Sequence, residues 1–321
     1  MTTRETGARL LTFGEAMGLI TMDGIGSLDI ARQAHIGIGG AESNVAIGVA
    51  RLGGSATWIG RVGPDAVGRL ITRQLTAAGV QVTAVPDPSY TGLMIRHRRA
   101  GNAAEIDYHR RGSAGSRLGT DDLPDEQIRQ ASVLHVTGIT PALSDSARHA
   151  TVHAVEVARA AGVTVSLDVN YRSRLWSADQ ARATLAGLAA RSDILFAGVN
   201  EARLLTGRDR SEPSELAWEI AQLGPPQVLL KDGIHGCLAL DGQREITRPA
   251  VEVGHVVDPV GAGDAFVAGF LAEHLTGAPF EQCVDTALAM GAFAVSVPGD
   301  CELLPTRAEL RAFTTSDEVC R

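Results

Sequence analysis

Short apolar runs, each broken by glycine and followed by a segment of helical period, recur along the chain and predict alternating strands and helices. Leu10 to Phe13 is the first run; Gly18 to Ile38 is mixed and glycine-dotted, which predicts short strands rather than a long helix. From Ala41 to Leu52, Val45, Val49 and Leu52 share one helical face, opened by Gly37, Gly39 and Gly40 and closed by Gly53-Gly54. A strand at Ala56 to Gly60, a helix from Asp65 to Ala78 and a strand at Val80 to Val85 follow. Between Thr91 and Arg111 the period becomes two. That predicts a hairpin around Ala100-Gly-Asn102 with Leu93, Ile95, Ile106 and Tyr108 on one covered face. A hairpin interrupting a βα series suggests a flap that covers a small ligand and excludes water; its distal residues, Tyr108 to Arg111, read by themselves sooner as a solvated strand end.

From Ser132 the alternation is regular. Strands are predicted at Val133 to Thr137, Val163 to Val169, Ile194 to Ala197, Val228 to Lys231 and Cys237 to Leu240. Helices are predicted at Ser144 to Ala161, Ala178 to Arg191, Glu201 to Leu205, Ser214 to Leu223 and Phe280 to Val297. This order implies an α/β fold: a mainly parallel central sheet with helices on both faces, plus a small β lid formed by residues 15–38 and 90–112. Ligands on such sheets gather beyond the carboxyl ends of the strands, so Asn170 to Arg172, Lys231 to Gly233 and Gly261 to Asp264 are expected to converge. With no internal repeat, low-complexity segment or linker, residues 1–321 read as one domain.

A formal net charge of −8 argues against a nucleic-acid or anionic-membrane binder, and an acidic substrate would need local arginines. Cys237, Cys283, Cys301 and Cys320 form no Cys-x-x-Cys pair, which points to neither structural zinc nor a disulfide framework. The first ten residues lack an apolar signal core, and no run of about 18 uncharged apolar residues offers a membrane span. The chain reads as a reduced, cytoplasmic protein.

The chemistry concentrates in Asp258-Pro-Val-Gly-Ala-Gly-Asp264, where a strand-like run stops, glycines turn the backbone and an apolar helix begins. Gly261 and Gly263 let successive N–H groups converge, and a helix N-terminus adds unpaired donors, so the segment favours a phosphate. Asp264 reads either as a helix cap or as a carboxylate that accepts a hydroxyl proton during phosphoryl transfer, with the helix terminus lowering its pKa. Asn44, in the first helical turn with Glu42 and Ser43, reads either as a local cap or as a partner for a sugar hydroxyl.

Gly39-Gly40-Ala-Glu-Ser-Asn44 continuing to Gly60-Arg-Val-Gly-Pro-Asp65, followed by Asp258-Pro-Val-Gly-Ala-Gly-Asp264, resembles the ribokinase-like, or PfkB, carbohydrate kinases over nearly the full length. Tyr108-His-Arg-Arg-Gly-Ser-Ala-Gly-Ser116, Thr137-Gly-Ile-Thr-Pro-Ala142 and Leu167-Asp-Val-Asn-Tyr-Arg-Ser173 look most like the 2-keto-3-deoxygluconate kinases of that family. The resemblance implies transfer of the γ-phosphate of ATP to the sugar's terminal hydroxyl, with Asp264 as base and Gly261, Ala262 and Gly263 as the anion hole. It implies substrate contacts from Gly40, Asn44, Met94, Tyr108, Arg110 and Arg172, the two arginines suiting a carboxylate. ATP contacts fall to Asn170, Lys231, Gly233, Gly236, Gly261 and Gly263, although Lys231 by itself reads also as a solvated strand end. Mg2+ is expected with ATP, with Glu201 holding it through water; K+ is a further candidate, and the β lid a candidate homo-oligomer surface.

Three positions depart from the family pattern. Gly198 stands where an Asn-x-x-Glu element has its asparagine, Met94 where close acid-sugar relatives carry an aromatic residue, and Leu288 where many have an asparagine near the adenine. They keep open a kinase for another sugar, such as fructose or a specialised biosynthetic sugar, and a non-catalytic sugar sensor. A nicotinamide-dependent dehydrogenase is disfavoured, since neither glycine cluster completes Gly-x-Gly-x-x-Gly after a strand.

Overall fold

The computed structural model describes residues 7–26, 28–98 and 104–315. The chain opens with β1 (Arg9–Phe13), the pair β2 (Met17–Ile25) and β3 (Ala34–Gly39), α1 (Ala41–Arg51), β4 (Ser55–Val62), α2 (Ala66–Ala77) and β5 (Gln81–Pro86). Next come β6 (Leu93–Arg98), β7 (Ala104–His109), α3 (Asp125–Arg129), β8 (Val133–Thr137), α4 (Thr140–Leu143), α5 (Asp145–Ala160) and β9 (Thr164–Asp168). The second half holds α6 (Ala178–Ala189), β10 (Ile194–Gly198), α7 (Val199–Thr206), α8 (Pro213–Ala221), β11 (Gln227–Lys231), β12 (Cys237–Asp241) and β13 (Arg244–Arg248). Three helices follow: α9 (Ala262–His274), α10 (Phe280–Val295) and α11 (Arg307–Thr315).

Nine strands form one sheet in the order β13-β12-β11-β10-β9-β8-β1-β4-β5, parallel from β5 to β11 and antiparallel at β12 and β13. Its inner strands are apolar runs because both faces are covered. Phe196 points towards α9, meeting Phe266 and Phe270 edge to face, while its neighbours Leu195 and Ala197 join the core under α5 to α8. Strand β13 was not evident from the pattern: Arg-Glu-Ile-Thr-Arg is charged and alternating, as suits an outer edge that must not recruit another strand.

The second sheet, β3-β2-β6-β7, is antiparallel except for the parallel β2–β6 pair. The expected turn Ala100-Gly-Asn102 lies outside the described residues. The expected covered face needs correcting on β6. Pairing sets Met94 against Tyr108 and Arg96 against Ile106, so Met94 and Arg96 share the inner face, whereas Leu93 and Ile95 oppose His109 and Asp107 on the other. Antiparallel partners share a face, so register, rather than apolar character, decides which side of β6 is covered.

Helices α1 and α9 cross closely. A Cβ added at Gly48 would lie 2.5 Å from the Cβ of Ala268, nearer than side chains tolerate. One helical turn towards the N-terminus from these two positions stand Asn44 and Asp264, so the crossing brings both residues together. Gly48→Leu should therefore lower the unfolding free energy by about 1–3 kcal/mol in denaturant titration through overpacking. Gly187→Ala, in α6 with nothing nearer than 3.8 Å to its added Cβ, should leave stability unchanged or raise it by up to about 1 kcal/mol.

Candidate active site

Asp264 does not cap α9 with its side chain. The carboxylate turns inward, where Oδ2 accepts from Asn44 Nδ2 at 2.8 Å and Oδ1 faces Asn170 Nδ2 at 3.4 Å. Asn44 is likewise no local cap: its amide nitrogen is spent on Asp264, and its Oδ1 is buried without a partner, ready to accept from a ligand. Gly40, before α1, leaves the space that a Cβ would take 2.5 Å from the Glu15 carbonyl. Burial pushes the Asp264 carboxyl up to about 6, with Asn44 and the cations Lys231 and Arg172 opposing and Asp168 adding to the rise. The lowering expected from the helix terminus is thus overturned: removal from water outweighs the dipole.

At the neighbouring strand ends, Lys231 closes β11 and Asp168 closes β9, and Lys231 Nζ donates to both oxygens of Asp168 at 2.9 and 3.0 Å. Burial opposes the charge of Lys231, yet the carboxylates of Asp168, Glu201 and Asp264 hold its pKa above the ordinary value, so it is a partly buried, carboxylate-paired cation and not a solvated strand end. A Cβ added at Gly263 would sit 3.5 Å from Lys231 Nζ, which places this charge against the turn that starts α9. Gly261, the residue before that helix, has φ 78° and packs on the carbonyl of Asp300, closed to any other residue. Glu201 caps its own helix by accepting from Gly198 N at 2.7 Å, and from Tyr171 N at 2.9 Å. Burial, then the nearby Asp168 carboxylate, raises its pKa. Glu201 and Asp168, two carboxylates on one cleft wall, suit a cation held through water. Among the described residues, no group of three or more His, Cys, Asp or Glu is spaced to enclose a metal ion directly.

The lid supplies Met94, Tyr108 and Arg110 to the same cleft. Arg110 sits 5.7 Å from the Tyr108 ring centre and donates through Nε to Glu15 Oε2 at 2.7 Å; Ser113 bonds the other oxygen of Glu15. Arg172 is exposed, and among the described residues its guanidinium donates only to the carbonyl of its neighbour Tyr171, at 3.2 Å. Arg96, Glu15 and Asp168 were not anticipated as site residues. Arg96 was masked by its place in a strand of apolar period, while Asp168 ends β9 and Glu15 follows β1 by two residues, at the carboxyl ends of strands where α/β sheets present side chains to ligands.

Together these elements line one cleft of 1780 Å³, larger than the roughly 300–1,000 Å³ that a single small ligand needs and so open to two. Of the expected site residues, Gly40, Asn44, Met94, Tyr108, Arg110, Asn170, Arg172, Glu201, Lys231, Gly233, Gly261, Gly263 and Asp264 are on its wall. Ala262 and Gly236 are not: Ala262 is the first residue of α9, and Gly236, at φ 97°, turns the chain into β12 against the Arg248 carbonyl. Leu288 also lies away from the cleft, in the core under α10.

The profile of the pfkB family carbohydrate kinases matches residues 8–307. The chain belongs to this family. A PfkB protein from Polaromonas sp. JS666 of known crystal structure is 36% identical, with a TM-score of 0.85 over 95% of this chain and 99% of that one. The 2-dehydro-3-deoxygluconokinase of Bacillus subtilis (strain 168) is 37% identical over 96% of each chain. The 2-dehydro-3-deoxygalactonokinase of Haloferax volcanii is 33% identical over 98% of this chain and 96% of its own.

The raised Asp264 carboxyl makes this PfkB kinase titrate in a testable way. Because the folded state holds the proton up to about 6 against an ordinary 3.8, the stability linked to it is complete below the lower value and is lost as pH rises through about 6. Asp264→Asn should accordingly melt higher than the parent chain at pH 7.5, by about 2 °C or more, and at nearly the same temperature at pH 4. Thermal melts across that range check it; equal melting at both pH values would contradict the burial argument.

Proposed function

We propose that the chain is an ATP-dependent kinase transferring the γ-phosphate to the terminal hydroxyl of 2-keto-3-deoxygluconate, giving 2-keto-3-deoxy-6-phosphogluconate. The observation that carries this reading is the 2.8 Å bond between Asn44 and Asp264, which joins the first glycine motif to the second across 220 residues. The names of the Bacillus and Haloferax relatives, both kinases of keto-deoxy sugar acids, support the acid substrate.

In this mechanism Asn44 Oδ1 accepts from a sugar hydroxyl, and Asp264, in its ionised form, holds the terminal hydroxyl in line with the phosphate. As the sugar oxygen bonds to Pγ and the bond from Pγ to the β,γ-bridging oxygen breaks, Asp264 takes the hydroxyl proton and ADP keeps the bridging oxygen. The N–H groups of the turn at Gly261 to Gly263 and the ammonium of Lys231 face the charge that develops on the transferring group. Bound Mg2+ would neutralise phosphate charge, held through waters by Glu201 and Asp168. Arg172, whose guanidinium lacks an acidic partner among the described residues, receives the substrate carboxylate more readily than Arg110, already paired with Glu15. A second reading, a different sugar acid or a neutral sugar, is favoured by Met94, which presents a flexible apolar side chain to the cleft in place of an aromatic ring.

ADP release from ATP and Mg2+ with 2-keto-3-deoxygluconate, its galactonate epimer, gluconate, fructose and ribose tests the proposal, with and without KCl to expose any K+ requirement. Selective turnover of the keto-deoxy acids is expected, with an acid limb near pH 6 from Asp264. Arg172→Ala should raise KM for the acid about tenfold or more and leave a neutral sugar nearly unaffected. Preference for fructose or ribose would retain the kinase and reject its substrate, and no turnover on any sugar would turn attention to a sensor.

We also propose that the lid pairs with a second copy and that the enzyme acts in the cytoplasm, where its nucleotide is found. Ile36, Ile20 and Ile95 form a row across the outer face of β3, β2 and β6, with Ile36 70% exposed. Light scattering should report an oligomer that Ile36→Glu dissociates; a monomeric parent chain would discard this surface.

A further inference from the structure

Arg96 is a charged side chain on the inner face of the lid, yet only 2% of it is exposed. Its guanidinium is bracketed by two carboxylates: Nη1 donates to Asp300 Oδ1 at 2.8 Å and Nη2 lies 3.1 Å from Asp258 Oδ2. Neither carboxylate belongs to the lid. Asp258 opens the loop that ends at Asp264, and its Oδ1 accepts from Val260 N at 3.1 Å, bracing the turn from inside. Asp300 lies between loop and lid: its carbonyl packs on Gly261, and its Oδ2 would be 2.7 Å from a Cβ at Gly39, the last residue of β3. Glu302 holds the Asp300 backbone in place, accepting from Asp300 N at 3.0 Å and Cys301 N at 3.1 Å.

Asp258, Asp264, Asp300 and Glu302 therefore gather acidic charge around the turn expected to receive a phosphate, and like charges so placed repel one another and the ligand. Among the described residues, Arg96 is the cation the lid sends into this cluster, while Lys231 reaches Gly263 from the end of β11. Buried carboxylates left without their cation would reorganise the backbone that carries them.

We propose that Arg96 is a positioning residue for phosphoryl transfer: by holding Asp258 and Asp300 it keeps the 258–264 loop in its anion-binding shape, so that docking of lid strand β6 over the sugar and assembly of the anion site occur together. This rests on the reading of that loop as the phosphoryl-transfer site. Arg96 acts through the loop and not on the substrate, so its removal should appear in kcat more than in sugar KM.

The experiment compares the full-length parent chain with Arg96→Met, Arg96→Lys and Asp264→Asn, measuring kcat, sugar KM and melting temperature with 2-keto-3-deoxygluconate, in millimolar guanidinium chloride or NaCl of equal ionic strength. Arg96→Met is expected to lose about 100-fold in kcat, shift sugar KM less than about threefold, and recover part of kcat with guanidinium but not with NaCl. Arg96→Lys, which keeps the charge with one contact, should fall between, and it carries the test if the Met variant does not fold. A kcat within twofold of the parent chain, a loss confined to KM, or a loss that neither guanidinium nor Lys relieves would overturn the proposal. Failure of the kinase reading looks different: the parent chain itself would release no sugar-dependent ADP, and both ideas would fall.

Discussion

The close crossing of α1 and α9 is the constraint on which the rest of the site depends. With glycine at 48 and alanine at 268, the two helices cross closely within their lengths, and one turn nearer their N-termini Asn44 reaches the Asp264 carboxylate at 2.8 Å. Larger residues would separate helix starts that rest on opposite halves of the chain, and an in-line transfer tolerates little displacement. Phe196 beneath α9 and the glycine contact of α9 with α10 at Gly269 anchor the same helix from its other sides. Packing of small residues far from water thus sets the geometry of the polar groups at the cleft.

Burial then decides the electrostatics. Desolvation pulls Asp264 upward and opposes the charge on Lys231, and the outcome differs because each has different neighbours. Lys231 is surrounded by carboxylates and stays a cation, whereas Asp264 has Asp168 nearby as well as Asn44 and two cations. Asp300, pushed up to about 7 by burial despite Arg96, belongs to the same strained set. The carboxylates of Asp258 and Asp300 meet Arg96 from the lid, and those of Asp168 and Asp264 lie beside Lys231 from the sheet.

Much of this architecture was legible in the residues. Continuous apolar runs such as Val133 to Thr137 and Ile194 to Ala197 can be buried on both faces only in a helix-covered parallel sheet, and that is how they lie. Charged β13 escaped notice because an edge strand exposes polar residues and lacks that signal. On β6 the apolar residues Leu93 and Ile95 suggested the covered side, but Arg96 and Met94 occupy it, because pairing with β7 sets the register and a guanidinium can be buried once two carboxylates meet it.

The sequence by itself determined most of the helix and strand order, the two glycine motifs and the family, since these follow from local period, backbone freedom at glycine and residue type at fixed spacing. It also offered Asp264 and Asn44 as candidates, each with a capping alternative. Only the tertiary structure turned both side chains away from their own helices and towards each other, paired Lys231 with Asp168 and Arg110 with Glu15, and placed Arg96 between Asp258 and Asp300. Those partnerships join residues tens to hundreds of positions apart, and their strength depends on exclusion of water, a property that no local stretch of sequence carries.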